Sequence, residues 1–170
     1  LGAIFSGYIF KELLIGNEFN LSLQHGNTQL FDGVATQTMG VNGGNLAPTL
    51  IFENGDFINI NVTNNLEEET TIHWHGMHIS PENDGGPHSV IYPGETWNPQ
   101  FEIMEKACTM WYHPHLHQKT NEHVTKGITG LIIIKDEEEA GLNLPRTYGV
   151  DDFPLILQTK QFDDSNQIVI

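Results

Sequence analysis

The sequence has little cysteine, few basic residues and no long apolar run. Its single cysteine, Cys108, excludes an intrachain disulfide and gives no indication of the redox compartment. Seven Lys and Arg against 22 Asp and Glu leave a formal net charge of −15, which argues against binding nucleic acid or an anionic membrane surface. The first ten residues, LGAIFSGYIF, are apolar but too short for a membrane span and carry no basic region. We interpret them as a lead-in segment of a processed or trimmed chain.

The remaining composition is that of a globular chain rich in strands and turns. It has 170 residues, 38% of them hydrophobic and 17% charged, together with 17 Gly and 8 Pro. Ile58, Ile60 and Val62 alternate with polar residues, as in a half-buried strand. The run GLIIIK at 130–135 is typical of a strand buried on both faces. The only helix predicted is one short turn at 120–126. Short strands separated by turn residues, with almost no helix, predict an all-β sandwich.

The last part of the chain differs in character from the rest. Residues 144–146 and 149–152 are typical of a connector, and 153–159 predict a new strand after it. A further strand has only begun at Ile170. We therefore expect a first domain over 1–145, with 146–170 forming a connector and the first strand of a second domain whose remainder lies outside this chain.

Six of the nine histidines fall in two windows of eight residues, TIHWHGMH at 71–78 and MWYHPHLH at 110–117. Residues i and i+2 of a strand share a face, with Cα atoms about 6.6 Å apart. His73 and His75 therefore present two imidazoles on one side, and His113 and His115 do so around Pro114. The proline places the second pair at an edge or at a strand end.

A lone histidine is more often structural than a ligand. Two His-x-His pairs in aromatic strands instead predict a metal site, and imidazole suits copper, zinc, nickel and iron. The spacing allows one mononuclear four-histidine site, or a wider cluster in which each histidine of a pair binds a different metal. Structural zinc is less favoured, because no cysteine is placed to bind it.

The chain resembles the multicopper oxidases, the family of laccases, bilirubin oxidases and bacterial cuprous oxidases. The resemblance runs from about Glu18 to Ile168, and the ordered set of motifs is far more specific than one His-x-His pair. Its anchors are HWHG at 73–76, NDGG at 83–86, YPGE at 92–95, WYHPH at 111–115 and GLIIIKDE at 130–137. The resemblance implies a cupredoxin-like Greek-key β-sandwich, the first of three such domains.

The resemblance also implies a trinuclear copper cluster shared with another domain of the same oxidase. His73 would bind the type 2 copper, and His75, His113 and His115 would bind the type 3 pair. Asp84 would help deliver protons to bound dioxygen, although an Asp-Gly pair is also ordinary turn chemistry. The implied reaction couples one-electron oxidation of a phenol-type donor or cuprous ion to reduction of dioxygen to water.

The blue type 1 copper is expected outside this chain. That site needs a cysteine thiolate between histidines, whereas Cys108 lies in ACTM and is interpreted as a small buried residue. His117 extends the second motif, but the family's ligands stop at the position of His115. The other four histidines are expected at the surface: His25, His78, His88 and His123.

Three alternatives remain open at this point. A non-catalytic cupredoxin-like scaffold is one, but such members tend to lose the cluster histidines. A free-standing copper- or zinc-binding module is the second, and a cupin-type enzyme with one metal is a weaker third. The expected partners are the remaining cupredoxin domains, dioxygen and a small reducing substrate, with no nucleic acid or membrane. The resemblance implies an extracytoplasmic location, periplasmic or secreted.

Overall fold

A computed structural model describes Ile4–Phe5 and residues 13–170. Most of the lead-in segment expected at 1–10 lies outside the described residues. The strands are β1 Ile4–Phe5, β2 Leu13–Ile15, β3 Glu18–Thr28, β4 Thr36–Val41, β5 Thr49–Glu53, β6 Phe57–Asn64, β7 His73–His75, β8 Thr96–Trp97, β9 Gln100–Glu102, β10 Cys108–His113, β11 Gly130–Lys135, β12 Thr159–Phe162 and β13 Ile168–Val169. The helices are α1 Thr120–Lys126 and α2 Glu137–Ala140.

Two five-stranded sheets make up most of the described chain. The first sheet has the order β2-β5-β11-β10-β7, and the second has β4-β3-β6-β8, with β9 also paired to β6. Both sheets are mixed: β5 runs parallel to β2 and β11, and β3 runs parallel to β6. Parallel neighbours require connections that cross between the sheets. The predicted all-β sandwich is confirmed.

The core lies between the two sheets and follows the alternation along their strands. In β6, Ile58, Ile60 and Val62 are each at most 1% exposed, as the sequence predicts. The Phe19 ring of β3 meets the Phe52 ring of β5 edge-on, with ring centroids 5.3 Å apart. Burying each apolar side chain of this size contributes about 1.5–3 kcal/mol. These contacts hold the first sheet, which carries both histidine pairs, against the second.

Strand β11 is buried fully on one face only. Gly130, Ile132 and Ile134 are buried, whereas the alternate residues are partly exposed. The expectation of burial on both faces is therefore wrong for the outer face. On that side Ile133 lines a shallow cavity together with Pro145 and Arg146 of the connector, so the cover is incomplete.

The strand expected at 153–159 begins only at its last residue. β12 starts at Thr159, which pairs with Phe5 of β1. Pro154 has no amide hydrogen to donate to a ladder. Upstream, Phe153, Leu155 and Leu157 are 47%, 60% and 75% exposed. These three residues form a stripe of exposed apolar side chains along the segment that precedes β12.

The hairpin of β12 and β13 is fastened to the rest of the chain by side-chain contacts. The Gln167 carboxamide accepts from the Gln37 amide at 2.9 Å and donates to the Ala35 carbonyl at 3.2 Å. The Lys160 amine donates to the Thr125 carbonyl of α1. Burial lowers the pKa of Lys160 to about 8. The hairpin is therefore held against α1 and the segment before β4.

Helix α1 has the bounds that the sequence predicts, Thr120–Lys126. Its end is closed by the Gly127 amide, which donates to the His123 and Val124 carbonyls. On its surface Glu122 pairs with Lys126 at 2.7 Å and with Lys119 at 3.1 Å. In the described part of the chain, no helix has the length and apolar character needed to cross a membrane.

Candidate metal centre

The two His-x-His motifs lie side by side on adjacent strands. β7 and β10 run antiparallel, with His73 opposite His113 and His75 opposite Trp111. Because side chains alternate along a strand, these four rings share one face of the ladder. The remaining histidine of the second motif, His115, lies just beyond the end of β10.

The other face of the same two strands belongs to the core. Trp74 and Tyr112 are opposite one another and fully buried. The Tyr112 hydroxyl donates to the Pro48 carbonyl at 2.7 Å, and the Trp74 indole donates to the Asn83 carbonyl at 3.0 Å. These anchors fix the strands, and alternation then turns the imidazoles away from the core.

The structure brings the four predicted ligands into one cluster. The His73 ring centroid is 5.7, 5.6 and 5.4 Å from those of His75, His113 and His115. His113 is 5.3 Å from His75 and 6.0 Å from His115. The His75 Nδ1 and His113 Nε2 atoms face each other at 3.1 Å. His113 is buried, His73 is partly exposed, and His75 and His115 are exposed, so the cluster opens to the surface.

Two of the rings have a fixed tautomer. His113 Nδ1 lies 2.8 Å from the Pro114 carbonyl, and His73 Nδ1 lies 3.1 Å from the Asp84 carbonyl. A carbonyl only accepts, so each Nδ1 carries the hydrogen and each Nε2 keeps its lone pair. Metal-binding histidines are typically held in this way, by a carbonyl on the nitrogen that does not bind the metal.

Burial keeps the most enclosed ring neutral. Removal from water lowers the pKa of His113 to about 4 and outweighs the opposite effect of the Pro114 carbonyl. The neighbouring imidazoles lower this pKa further. At neutral pH His113 therefore offers a neutral nitrogen, the form that binds a metal ion.

Asp84 lies at the edge of the cluster. Its carboxylate Oδ2 is 3.3 Å from His73 Nδ1, and its side chain is 28% exposed. Its carbonyl also accepts from the Trp74 amide at 3.3 Å, so the loop is attached to β7 at two points. The next residue, Gly85, has φ +72°, and a Cβ there would lie 1.6 Å from the Ile72 carbonyl oxygen. The loop therefore requires glycine to reach the cluster.

His115 depends on a side chain for its backbone support. It follows Pro114 and lies outside the β7–β10 ladder. Its amide donates to the Thr71 hydroxyl at 2.6 Å. This contact ties the loop after the second motif to the residues before the first. Local sequence patterns do not reveal this contact, because 44 residues separate the two partners.

Trp111 completes the exposed face of the ladder. Its indole stacks on the His113 ring, with centroids 4.0 Å apart and planes inclined by 25°. The His75 ring is 5.1 Å away. Trp111 therefore packs against two of the candidate ligands.

The other histidines divide into surface residues and one exception. His25, His78, His88 and His117 are exposed, and His117 lines a cavity with Glu67, Glu69 and Tyr92. The expectation that His123 lies at the surface is wrong. Its side chain is fully buried, between Thr70 and Glu68. The helix that carries it packs against the segment preceding β7, which a local polar pattern does not reveal.

The described residues contain no three His, Cys, Asp or Glu side chains arranged to hold a single metal ion. The four predicted ligands therefore do not by themselves form a closed mononuclear site. Cys108 offers no alternative. Burial raises the pKa of its thiol, and Glu105 and Asp136 raise it further, so the metal-binding thiolate is disfavoured.

Comparison with known proteins identifies the family. A family model described as multicopper oxidase matches residues 22–139. The chain belongs to the multicopper oxidase family. It is 42% identical over 144 residues to multicopper oxidase mco of Staphylococcus aureus, covering 85% of this chain and 32% of that protein. It is also 38% identical over 128 residues to cell division protein FtsP of Xenorhabdus nematophila, covering 75% of this chain and 27% of that protein.

Solved multicopper oxidase structures show the same fold. The laccase from Pediococcus acidilactici Pa5930 matches 91% of this chain with a TM-score of 0.85 and 38% identity, while 34% of the laccase is covered. The cupredoxin-like sandwich expected from the resemblance is confirmed. The chain spans about a third of the length of the relatives that it matches.

Proposed function

We propose that this chain is the N-terminal cupredoxin domain of a multicopper oxidase and supplies half of the histidines of a trinuclear copper cluster. His73 binds the type 2 copper, and His75, His113 and His115 bind the type 3 pair. The whole oxidase couples one-electron oxidation of a phenol-type donor or cuprous ion to reduction of dioxygen to water. The type 1 copper and the other half of the cluster belong to domains outside this chain.

The arrangement of the imidazoles carries the proposal. Four rings lie with centroids 5.3–6.0 Å apart, and those of His73 and His113 are held by carbonyls at Nδ1. Each Nε2 keeps the lone pair that would bind metal, and that of His113 would exchange its contact with His75 Nδ1 for the metal. The exposed rings of His75 and His115 leave the cluster open on the side where ligands from another domain would complete it.

The residues of this chain bind, orient and supply protons. Copper, when bound, provides the one-electron chemistry that the reduction of dioxygen requires. Trp111 stacks on His113 and contacts His75, which helps to orient both rings. Asp84 is partly exposed and lies 3.3 Å from His73, so it can take a proton from solvent and release it at the cluster.

The domain arrangement follows from the same proposal. Residues 1–145 form the first domain, and 146–170 form a connector and the first strand of the second. The exposed stripe of Phe153, Leu155 and Leu157 is then covered by the remainder of the oxidase. We place the protein outside the cytoplasm, in the periplasm or secreted, as the family resemblance implies.

A copper-free scaffold is the second candidate, since relatives include proteins named for cell division rather than oxidation. Family membership alone therefore does not establish catalysis. The four clustered histidines and the neutral His113 favour the oxidase, because a scaffold has no need of imidazoles held at Nδ1.

The test is copper content and oxygen consumption of the full-length protein. We expect about four coppers per chain, since the family cluster and blue site together hold that number. His113→Ala should lose cluster copper while a type 1 spectrum remains. Wild-type protein that binds no copper would refute the oxidase and favour the scaffold.

A second variant tests the acid. Asp84→Asn keeps the backbone carbonyl that holds His73, so it should retain copper. Its turnover should fall at least about tenfold, as for loss of a positioned proton donor. Unchanged turnover would refute proton delivery by Asp84.

A further inference from the structure

The fully buried imidazole of His123 is not accounted for by the proposed chemistry. His123 lies in α1, which follows the second histidine motif, and its ring packs against the segment that precedes the first. Its Nδ1 is 3.1 Å from the Thr70 hydroxyl, and its Nε2 is 3.3 Å from Glu68 Oε1. A buried polar ring satisfied on both nitrogens holds two segments together.

The tautomer of this ring follows from its partners. Removal from water lowers the pKa of His123, although the Glu68 carboxylate acts in the opposite direction. A carboxylate only accepts, so Nε2–H donates to Glu68, and Nδ1 accepts from the Thr70 hydroxyl. Glu68 is in turn held by the Lys119 amine at 2.6 Å. Lys119 immediately precedes α1, so one contact at the helix start and two from His123 within it join α1 to residues 68–70.

The segment held by His123 leads directly to a candidate ligand. Thr71 follows Thr70, and its hydroxyl accepts from the His115 amide at 2.6 Å. His115 lies beyond the β7–β10 ladder, whose pairing ends at His113. The hydroxyl of Thr71 therefore supplies the backbone support that the strand supplies for His113.

We propose that His123 is a positioning residue: together with Glu68, Thr70 and Thr71 it forms a clamp that fixes the loop presenting His115. We call these four residues the His123 clamp. The inference rests on the proposed function, because fixing His115 matters for chemistry only if its imidazole binds copper. The clamp acts by limiting local opening of residues 114–119, so that the fourth imidazole is preorganised before metal binds.

Isosteric variants of the full-length protein test the clamp. Thr71→Val removes the hydroxyl and keeps the shape, whereas Thr71→Ser keeps the hydroxyl. His123→Leu removes both ring contacts, and His25→Leu is its control, since His25 is exposed on β3. The first readout is hydrogen–deuterium exchange of the peptide covering 113–119 in copper-free protein.

We expect His123→Leu and Thr71→Val to raise the exchange rate of this peptide at least about fivefold, the effect of losing one ordinary hydrogen bond. Thr71→Ser and His25→Leu should match wild type. A wild-type rate in His123→Leu would overturn the clamp. If His123→Leu also raises exchange across β3, it has unfolded, and Thr70→Val, which removes only the hydroxyl facing His123, decides in its place.

The second readout is release of copper to a chelator from the loaded protein. Loss of outer contacts to metal-binding histidines weakens metal affinity by about 10–100-fold. We therefore expect release at least about tenfold faster in His123→Leu and Thr71→Val, with Thr71→Ser restoring the wild-type rate. Equal release in all variants would refute a role in positioning His115. Wild-type protein without copper would instead refute the proposed function, while the exchange measurement would still decide whether the clamp holds the loop.

Discussion

At the scale of single residues, backbone carbonyls set the chemistry of the cluster. The Asp84 carbonyl accepts a hydrogen bond from His73 Nδ1, and the Pro114 carbonyl accepts one from His113 Nδ1. These contacts survive any change of side chain at Asp84, so the acid and the tautomer of His73 are separable by mutation. The Asp84 side chain can therefore be replaced without removing the carbonyl that holds His73.

Gly85 holds the Asp84 loop against β7, and its replacement has a matched control in Gly94. Both have positive φ, +72° and +80°, but a Cβ at Gly94 meets open space. We expect Gly94→Ala to cost about 1 kcal/mol of stability, the conformational penalty alone. Gly85→Ala adds the collision with the Ile72 carbonyl and should cost at least about 2 kcal/mol more. Thermal unfolding of the two variants makes the comparison, and equal losses would contradict the close approach.

The positions of single residues are predictable from the sequence where they depend on near neighbours in the chain. Residues i and i+2 of a strand share a face, so the common face of His73 and His75 is predictable from spacing, whereas their clustering with His113 does not follow from alternation and is implied by the family resemblance. The place of His123 is not predictable from spacing, because its partners Thr70 and Glu68 lie 53 and 55 residues away. A histidine in a short polar helix has the same local pattern whether it is exposed or buried.

At the scale of elements, α1 was predictable and the connector strand was not. The helix ends where Gly127 closes it, a signal contained in the sequence. The start of β12 depends on pairing with β1, which lies more than 150 residues away in the chain. Apolar alternation at 153–157 predicts a strand, but the structure assigns none to these residues, and Pro154 has no amide hydrogen to donate to a ladder.

The pairs on α1 predict a dependence of stability on pH. Hydrogen bonding to Lys126 lowers the pKa of Glu122 from 4.5 to about 2, with a further contribution from Lys119. A lowered folded-state pKa means that the stabilisation is present above pH 4.5 and is lost as the pH falls toward 2.

We therefore expect Glu122→Gln to lower the unfolding temperature at pH 6 and to differ little from wild type near pH 2. Thermal unfolding across this range measures the effect. Glu138→Gln is the control, because its pair with Lys106 is exposed at both ends and should contribute little at any pH. A constant difference between Glu122→Gln and wild type from pH 6 to pH 2 would contradict the assignment.

At the scale of the whole molecule, the described chain presents an apolar stripe that the proposed domain arrangement would cover. Phe153, Leu155 and Leu157 are 47–75% exposed, and apolar groups clustered in this way favour association. Expressed alone, the 170-residue chain should bind a hydrophobic dye and self-associate. Leu155→Ser with Leu157→Ser should weaken both.

Val34→Ser controls for the loss of an exposed apolar side chain elsewhere, since Val34 is 64% exposed in the segment before β4. Dye fluorescence and sedimentation velocity measure the outcome. Equal dye fluorescence and equal sedimentation of the double variant and wild type would show that the stripe does not mediate self-association. That result would also weaken the proposed domain arrangement.

The core also determines the register in which β7 pairs with β10. A slip of one residue would exchange the faces of a strand, turning Trp74 or Tyr112 toward water and imidazoles toward the core. Exposing either aromatic side chain forfeits about 1.5–3 kcal/mol, before the cost of burying polar rings is added. A misregistered pairing is therefore destabilised before any metal binds. Correct folding of the core by itself places His73, His75 and His113 on one face of the β7–β10 ladder.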